Sequence, residues 1–500
     1  MNWPGTSAIA RRACVASAVG GLAAHALLFA YVQGSFCIDD AYISFRFARN
    51  LADGVGLVFN PGEAVEGYTN FGWVLLLGLA SKLGLDLTMT ARVASALAAC
   101  VLAAGAVDFL FARSTRPVAA SALLAGLLMA DGSLARWAQD GMETVCFALA
   151  VFSGASLAVR ESEADAGFPL SAVVFALATL VRPEGLLFFM VTFAWSLGGR
   201  SIAWTRTFRS VALFAALYGS YFLWRFVTYG TLLPNTFYAK VGVSEAQLSR
   251  GGVYLAEFFF AGRWPLLALA VVAIGLQRTR WAPWHKLFVA LAASNAAEAM
   301  LVGGDWMGSG RFLLPTLAPL YVVTADVVAA ALAGGAIWAP VCAATVAASF
   351  VLTSWRGEQR SVRAERPYLE SRAVVGSWLA RHARAGDSLL TNEIGELAFF
   401  SGLRTDDLHG LTDPHIAHLS MPAIGAGKPG HEKYDLAYSF DKRPTWMVLP
   451  TVATHLEDFI VRYPELTNYR IEEVAAPVPR REYGMILHRL AGTVRRATPN

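Results

Sequence analysis

Charged residues are scarce in this chain of 500 residues. Asp, Glu, Lys and Arg make up 16% of the sequence and hydrophobic residues 55%, whereas soluble domains carry about 25% charged residues. One charge at the centre of a membrane helix costs roughly 2.5 to 3.5 kcal/mol, so long windows without charges are typical of spans. The composition excludes an ordinary soluble protein and predicts a polytopic α-helical membrane protein.

Cysteines are few, and none has the spacing of a metal site. Cys14, Cys100, Cys146 and Cys342 lie in apolar windows, and Cys37 stands alone, so we expect them to be packing residues. Concentrated positive charge is lacking as well. The net charge of +4 is spread along the chain, and no basic run alternates with aromatic residues as a nucleic-acid groove requires. Nucleic acid is therefore excluded from the expected partners.

Apolar windows recur along the first 355 residues. We interpret about eleven of them as spans, although several are shorter than the roughly 20 residues that a straight span needs. The windows lie near residues 13–33, 90–112, 118–131, 143–159, 168–181, 185–198, 209–227, 262–277, 286–302, 312–333 and 336–354. Globular composition begins after residue 355, which predicts a transmembrane domain (1–355) followed by a soluble domain (356–500).

Basic residues determine the predicted orientation. Arg11 and Arg12 precede the first window, so the positive-inside rule puts the N-terminus in the cytoplasm and makes the window a retained signal anchor. A span at residues 71–84 would put three later basic clusters outside, whereas an amphipathic helix on the outer surface keeps them inside. We therefore expect residues 37–88 to form an outer loop with juxtamembrane helices, and the tail to lie outside as well.

The C-terminal region alternates between helix and strand signals. Helices are predicted near residues 366–384, 393–400 and 452–462, and strands at 388–391, 445–450, 469–474 and 484–489. This alternation predicts a small α/β domain. Residues 403–418 are dense in Asp and His and include Asp413 and His415. They form either a zinc site or a hydrogen-bonded loop, and no ligand spacing supports zinc.

Two adjacent acids, Asp39 and Asp40, directly follow the first apolar stretch. Asp39 suits a helix N-cap with Asp40 in the first turn, and capping alone would account for both. Alternatively, a desolvated Asp beside a second carboxylate has a raised pKa and suits a general base that deprotonates an acceptor hydroxyl. Its neighbour would orient the acceptor or bind a divalent cation, Mg²⁺ or Mn²⁺. The same loop supplies further polar candidates, namely Tyr42, Arg46, Glu66, Tyr68 and Asn70.

Polar side chains also stand at the ends of later spans on the same side. Lys240 suits a phosphate contact or a snorkelling interfacial lysine. Arg311 lies in a glycine-rich turn, where it would clamp phosphate oxygens or belong to a simple tight turn. The predicted phosphate ligands are Arg46, Arg182, Lys240 and Arg311. The predicted substrate contacts beyond the first loop are Glu143, Glu184, Asn235, Asp305, Trp306, Asp413 and His415, and for the acids near Arg182 mutual pairing is an equal alternative.

Six strings in chain order resemble the GT-C superfamily of polytopic glycosyltransferases, which use polyprenyl-phosphate-linked sugars on the outer side of the membrane. Within it, the chain looks similar to the bacterial group that contains the terminal arabinofuranosyltransferase of mycobacterial cell-wall arabinan. The strings are DDAYISFRFARNLADGVGLVFNPGEAVEGYTN, DGMET, RPEG, LLPNTFYAK, GGDWM with RF, and GLTDPHIA.

This resemblance implies a GT-C fold in the bacterial cytoplasmic (inner) membrane, with catalysis by the acidic pair Asp39 and Asp40. It implies a polyprenyl-phosphate sugar donor, with arabinofuranose as one candidate sugar, and an acceptor hydroxyl on an envelope glycan, glycolipid or protein. The lipid tail of the donor would lie between spans, in contact with the bilayer. No cofactor beyond the divalent cation is implied.

Two other functions fit a polytopic protein. A flippase of lipid-linked sugars would place polar residues at mid-span and show inverted repeats, whereas the polar residues here gather at one face. A structural subunit whose tail binds envelope polymers would not need about eleven spans. The sequence therefore favours the glycosyltransferase.

Overall fold

The computed structural model describes residues 4–34, 37–164, 167–198, 204–242, 244–260, 263, 281–332, 339–421, 424–449, 455–474 and 485–489. Helices form most of the chain before residue 383. Their bounds are Pro4–Gln33, Asp39–Ala52, Phe71–Lys82, Leu87–Arg113, Pro117–Ala130, Gly132–Trp137, Thr144–Glu163, Leu170–Val181, Gly185–Leu197, Trp204–Tyr229, Asn235–Lys240, Glu245–Phe260, Pro283–Leu301, Leu317–Leu332 and Ala339–His382, with a 3₁₀ helix at Arg311–Thr316.

Five segments are long and apolar enough to cross a membrane, within the part of the chain that the structure describes. They are Ala8–Gln33, Leu87–Arg113, Thr144–Glu163, Thr207–Tyr229 and Arg311–Ala331. Four shorter apolar helices accompany them. The mostly helical membrane fold predicted from composition is confirmed, whereas the number of eleven spans stays a prediction. The window 262–277 lies outside the described residues, apart from Arg263.

The helix Phe71–Lys82 packs against the helix Asp39–Ala52 through Trp73, Val74 and Leu77, which are buried, while Leu75, Leu76 and Leu79 are exposed. Its 12 residues would extend about 18 Å, short of the roughly 30 Å hydrocarbon core. A short helix is therefore present where the sequence predicted one, and its juxtamembrane place on the outer surface remains a prediction.

The tail contains a five-stranded mixed sheet. Its strands are β1 (Ser388–Thr391), β2 (Arg404–Asp407), β3 (Trp446–Val448), β4 (Tyr469–Glu473) and β5 (Met485–Arg489), in the spatial order β2-β1-β3-β5-β4. β1 pairs in parallel with β2 and β3, and β5 pairs antiparallel with β3 and β4. The helix Glu396–Ser401 connects β1 to β2, and other helices lie at Pro414–Ala417, Leu436–Asp441 and Leu456–Arg462. The predicted α/β character is confirmed, although β2 was not predicted.

The tail and the membrane helices share one apolar core. Ile394 and Ala398 of the tail belong to the cluster that contains Tyr42 and Phe45 of the helix Asp39–Ala52. A continuous helix, Ala339–His382, runs through the predicted boundary at residue 355 and leads into β1. The sheet therefore presents the carboxyl ends of β1 and β2 to the start of the helix Asp39–Ala52.

Candidate functional site

A cavity of about 500 Å³, partly open to solvent, lies where the helix Asp39–Ala52 meets the tail. The carboxyl end of β1 supplies residues 392–394, and the carboxyl end of β2 leads into His409. Open α/β sheets place ligands at this edge because loops from neighbouring parallel strands converge there. The lining residues are Asp39, Asp40, Ile43, Lys240, Trp306, Arg372, Asn392, Glu393, Ile394, His409, Leu411, Lys428, Pro429, Gly430 and His431.

Asp39 links the tail (residues 356–500) to the helices of residues 1–355, called the membrane half below. Its carboxylate accepts hydrogen bonds from the backbone N–H of Glu396 at 2.8 Å and of Gly395 at 3.2 Å. Burial raises the pKa of Asp39 to about 6, and the nearby Arg372 guanidinium opposes that rise. The expected N-cap role is corrected in one respect: Ile38 is the N-cap of the helix Asp39–Ala52, and Asp39 instead receives the N-terminal N–H groups of a tail helix.

Asp40 lies in the same helical turn but has a different environment. Its side chain is half-buried and lines the cavity. Within the described part of the chain, its carboxylate has no hydrogen-bond or ion-pair partner. Asp40 is therefore the member of the pair that is free to contact a substrate hydroxyl.

A third acid, Glu396, is buried beside Asp39. Both of its carboxylate oxygens lack a hydrogen-bond partner among the described residues, and the Arg372 guanidinium is 3.9 Å away. Burial raises the pKa of Glu396 well above its usual value, and the charge of Asp39 adds to the rise. Both effects favour the neutral form of Glu396 over its charged form.

Two lysines face the two acids. The Lys428 ammonium lies 4.0 Å from the ring centroid of Trp306, and Lys240 lines the cavity next to Gly430. Neither lysine has an ion-pair partner among the described residues. Burial lowers the pKa of Lys428, although Asp39 and Asp40 oppose that shift. These cations suit a phosphate ligand, because an ammonium without an ion-pair partner can pair with an incoming anion as a point charge.

Two histidines from the tail complete the polar wall. The rings of His409 and His431 have centroids 4.9 Å apart, and His431 meets the edge of Trp306 at 5.6 Å. Burial and the Lys428 charge lower the pKa of His431 to about 3. His431 is therefore neutral at physiological pH and offers hydrogen bonds rather than charge.

Arg182 and Arg311 lie at a second, smaller cavity of about 240 Å³. Arg182 pairs with Glu143 at 3.0 Å and with Glu184 at 2.7 Å, and Arg311 pairs with Asp305 at 2.6 Å. Arg182 thus pairs with both acids, which was one of the two alternatives for this group, whereas the pairing of Arg311 with Asp305 was not predicted. Neither arginine lines the Asp39 cavity, so neither belongs to the phosphate site that we consider there.

Arg46 is buried, and its guanidinium donates to backbone carbonyl oxygens of Phe59, Ala398 and Leu403 at 2.7 to 2.9 Å. A further hydrogen bond goes to the side chain of Asn60. Arg46 thus links residues 37–88 to the tail. With its donors occupied and its side chain away from the cavity lining, Arg46 has a structural position rather than a phosphate-facing one.

The remaining candidates of the first segment are also held in internal contacts. The Tyr42 hydroxyl accepts a bond from the Cys37 N–H at 3.3 Å, and Tyr68 meets the Tyr229 hydroxyl at 3.2 Å. Asn70 donates to Glu143 at 2.7 Å. None of these side chains lines the Asp39 cavity.

Glu66 forms a buried ion pair with Arg225, whose Nε lies 3.0 Å from Oε1. Asn235 donates to the carbonyl oxygens of Gly410 and Leu411 and so connects a membrane-half loop to the tail. Both predicted substrate contacts therefore have protein partners.

The Asp- and His-rich segment is a hydrogen-bonded loop. Asp407 accepts from the N–H groups of His409 and Thr412, each at 2.8 Å. Asp413 caps the helix Pro414–Ala417 and pairs with Lys442, and His415 is exposed beside Asp435. The loop interpretation is confirmed, and from this segment His409 and Leu411 line the cavity, not Asp413 or His415.

The cavity residues that the sequence did not indicate are Arg372, Asn392, Glu393, His409, Lys428 and His431. Asn392, Glu393 and His409 follow the neighbouring parallel strands β1 and β2. Residues in such positions meet at one edge of a sheet, and this rule could have indicated all three. Lys428 and His431 lie in a Gly- and Pro-rich stretch, GAGKPGH, that reads as an ordinary surface turn.

The amino-acid sequence is similar to those of two enzymes described as arabinofuranosyltransferases. The terminal β-(1→2)-arabinofuranosyltransferase of Mycobacterium tuberculosis is 28% identical over 354 residues, which cover 59% of this chain and 52% of that protein. The enzyme of the same description from Corynebacterium glutamicum is 27% identical over 356 residues, 60% of this chain and 50% of that protein. The chain thus spans about half the length of these relatives. A family described as a domain of unknown function, DUF8728, matches residues 359–487.

Solved structures share the fold. The crystal structure of ArnT from Cupriavidus metallidurans bound to undecaprenyl phosphate has a TM-score of 0.63 at 12% identity, covering 94% of this chain and 98% of that one. The apo structure of the same protein has a TM-score of 0.61 at 13% identity, covering 93% and 96%. The chain therefore has the membrane fold of ArnT, and its resemblance in sequence to terminal arabinofuranosyltransferases is confirmed.

Proposed function

We propose that this protein is a membrane glycosyltransferase that moves a sugar from a polyprenyl-phosphate donor to a hydroxyl of an envelope glycan, glycolipid or protein. One observation carries the proposal: Asp40, Lys240 and Lys428 face one cavity without ion-pair partners among the described residues. The similar sequences are named arabinofuranosyltransferases, and a protein of the same fold was crystallised with undecaprenyl phosphate. These names support arabinofuranose as the first donor sugar to test.

In the proposed reaction, the Asp40 carboxylate takes the proton of the acceptor hydroxyl. The acceptor oxygen then forms a bond to the anomeric carbon while the bond from that carbon to the phosphate oxygen breaks. The electron pair leaves with the polyprenyl phosphate, and the ammonium groups of Lys240 and Lys428 stabilise its added charge. A leaving group stabilised in this way needs no strong general acid.

A divalent cation has no step in this reaction. The described residues contain no group of three or more His, Cys, Asp or Glu side chains placed to hold a metal ion. Of the two predicted ligands, Asp39 already accepts two backbone N–H bonds. Asp40 is the predicted ligand that keeps a free carboxylate, and Mg²⁺ or Mn²⁺ held there would take its other oxygens from water and the donor phosphate.

We further propose that the cavity opens on the outer side of the bacterial cytoplasmic membrane. The positive-inside pattern supports this orientation, since the basic clusters then lie in the cytoplasm. The proposed soluble domain from residue 356 would be on the same outer side as the acceptor.

Purified protein in lipid nanodiscs tests the proposal. We expect transfer from synthetic polyprenyl-phosphate arabinofuranose to an arabinan acceptor, detected as a mass increase of one pentose, and the same assay in EDTA tests whether a divalent cation takes part. Other polyprenyl-phosphate sugars should be assayed in parallel, and mass spectrometry of co-purified lipid would name the head group. Absence of transfer from every polyprenyl-phosphate sugar, with correctly folded protein, would overturn the proposal.

A further inference from the structure

Lys428 and His431 are carried by a tail loop, residues 424–432, that docks on the helix Glu245–Phe260. Ser244, just before that helix, donates to the Ile424 carbonyl at 2.6 Å. Gly425 has a φ of +98°, and a Cβ there would lie 2.2 Å from the backbone N of Gln247. Only glycine permits this approach without displacing the backbone. The loop is therefore seated on a membrane-half helix rather than on the tail sheet.

Glu432 organises the loop from inside. Its Oε1 accepts the backbone N–H of Gly425 at 2.7 Å and of Gly427 at 2.8 Å. The same oxygen accepts from Arg250 Nη1 at 2.9 Å. The Glu432 side chain is 7% exposed and the Arg250 side chain 16% exposed, so this ion pair is poorly screened by solvent.

Arg250 also holds the segment that carries Trp306. Its Nε donates to the Gly303 carbonyl at 2.9 Å, and its Nη1 donates to the Gly427 carbonyl at 2.9 Å. One guanidinium thus bridges the turn before Trp306 and the loop that bears Lys428. The contact between the Lys428 ammonium and the Trp306 ring lies between these two bridged segments.

The loop also reaches the second lysine of the cavity. Gly430 has a φ of +75°, and a Cβ there would lie 3.2 Å from the Lys240 side chain. Lys240 closes the helix Asn235–Lys240 of the membrane half. The position of the loop therefore sets how far apart the two cations stand.

We propose that Arg250 and Glu432 are positioning residues that hold the Lys428 loop in place, so that the donor phosphate is bound between a membrane-half lysine and a tail lysine. This inference rests on the proposed function. A lysine is a point charge on a flexible stem, and a displacement of about 1 Å can cost roughly 100-fold in rate. A fixed loop and an aromatic surface under the ammonium reduce the freedom lost when phosphate binds.

The test compares Glu432→Gln and Arg250→Lys with wild type in the nanodisc transfer assay. Both variants keep the size and polarity of the side chain but weaken the bridge. We expect kcat/KM for the polyprenyl-phosphate donor to fall about tenfold, through a higher donor KM and a lower kcat, while the KM for the acceptor stays unchanged. Glu370→Gln, which removes an exposed ion pair with Arg366, is the matched control and should leave all three values unchanged.

A double-variant cycle separates positioning from general stability. If Glu432 acts through Lys428, then Glu432→Gln should have little further effect in a Lys428→Ala background. Hydrogen–deuterium exchange of residues 424–432 should increase in Glu432→Gln while exchange in the rest of the tail is unchanged. This second readout does not depend on turnover.

The outcomes distinguish the two proposals. If wild type transfers sugar and Lys428→Ala lowers kcat/KM for the donor, but Glu432→Gln and Arg250→Lys do not, the positioning role is overturned. Multiplicative effects in the double variant overturn it as well. If wild type transfers no polyprenyl-phosphate sugar, the proposed function fails instead, whatever the exchange of the loop shows.

Discussion

The Asp39 carboxylate accepts a 2.8 Å hydrogen bond from the backbone N–H of Glu396. Asp39 thereby caps a tail helix whose first residue, Glu396, lies 357 positions later in the chain. The neighbouring Asp40 is not used in this contact and lines the cavity. Two adjacent acids of the same type therefore differ because the carboxylate of Asp39 is occupied by the tail, whereas that of Asp40 faces the cavity without such a partner.

This difference predicts opposite signatures for two conservative variants. Asp40→Asn should lower kcat by about 100-fold or more, because the amide cannot accept the acceptor proton, and it should leave the thermal unfolding midpoint unchanged. Asp39→Asn should lower the unfolding midpoint as well as the rate, since an amide cannot accept both N–H bonds with both of its heavy atoms.

Transfer rates and differential scanning fluorimetry on the same preparations check this pair. Glu370→Gln again serves as the control for an exposed acid. Full activity in Asp40→Asn, or an unfolding midpoint lowered equally in both variants, would contradict the division of roles.

The raised pKa of Asp39 predicts a pH dependence of activity. Burial raises this pKa to about 6, so the carboxylate is ionised above pH 6 and is protonated as the pH falls through it. Protonation removes the charge that accepts the Gly395 and Glu396 N–H groups. We expect kcat/KM to be constant above neutral pH and to fall by about tenfold per pH unit well below pH 6.

Thermal unfolding should distinguish this fall of activity below pH 6, the acid limb of the pH profile, from a loss of folded structure. Because the folded pKa is above the ordinary value of 3.8, ionisation of Asp39 costs stability as the pH rises, and acidification through pH 6 recovers it. The activity should therefore fall without a lower unfolding midpoint from this group. His431, with a pKa of about 3, is neutral across the range, so His431→Gln should not move the midpoint of the acid limb.

The fold could be predicted from sequence where composition and periodicity determine it. Windows without charges gave the membrane helices, and the strand predicted at 388–391 coincides with β1. β2 escaped because its sequence, Arg-Thr-Asp-Asp, is polar although Thr405, Asp406 and Asp407 are buried. An edge strand whose polar side chains are satisfied by tertiary contacts carries no hydrophobic pattern to detect.

The site could be predicted only in part, for a different reason. Asp39 and Asp40 were singled out because they directly follow the first apolar stretch and begin the segment that resembles the GT-C superfamily, and the structure places both at the cavity. The sequence does not show that Arg46 donates to Ala398 and Leu403, since both partners lie about 350 residues away. Partners at that separation are determined by tertiary structure. Tertiary structure also determines that Lys428, rather than Arg182, is the cation that faces the two acids.

The Glu66 and Arg225 pair predicts a stability effect. The two side chains are 2% and 4% exposed, so Glu66→Ala leaves a buried guanidinium without its counter-charge. Breaking such a pair costs roughly 3 to 5 kcal/mol, and we expect a lower unfolding midpoint in detergent. The double variant Glu66→Leu/Arg225→Leu should recover part of the loss, because it removes both charges. A double variant less stable than Glu66→Ala would contradict this account.

Gly395 gives a direct test of how closely the tail must approach the acid pair. A Cβ at this position would lie 1.9 Å from the Asp39 carbonyl oxygen, and backbone atoms cannot rotate away as a flexible side chain can. Gly395→Ala should therefore separate the helix Glu396–Ser401 from Asp39, at a cost of about 1 to 3 kcal/mol, and lower the transfer rate. Gly252→Ala is the matched control, since a Cβ there meets nothing within 4 Å and helix propensity favours alanine. Equal activity and equal unfolding midpoints for the two variants would show that the tail does not need this contact to complete the cavity.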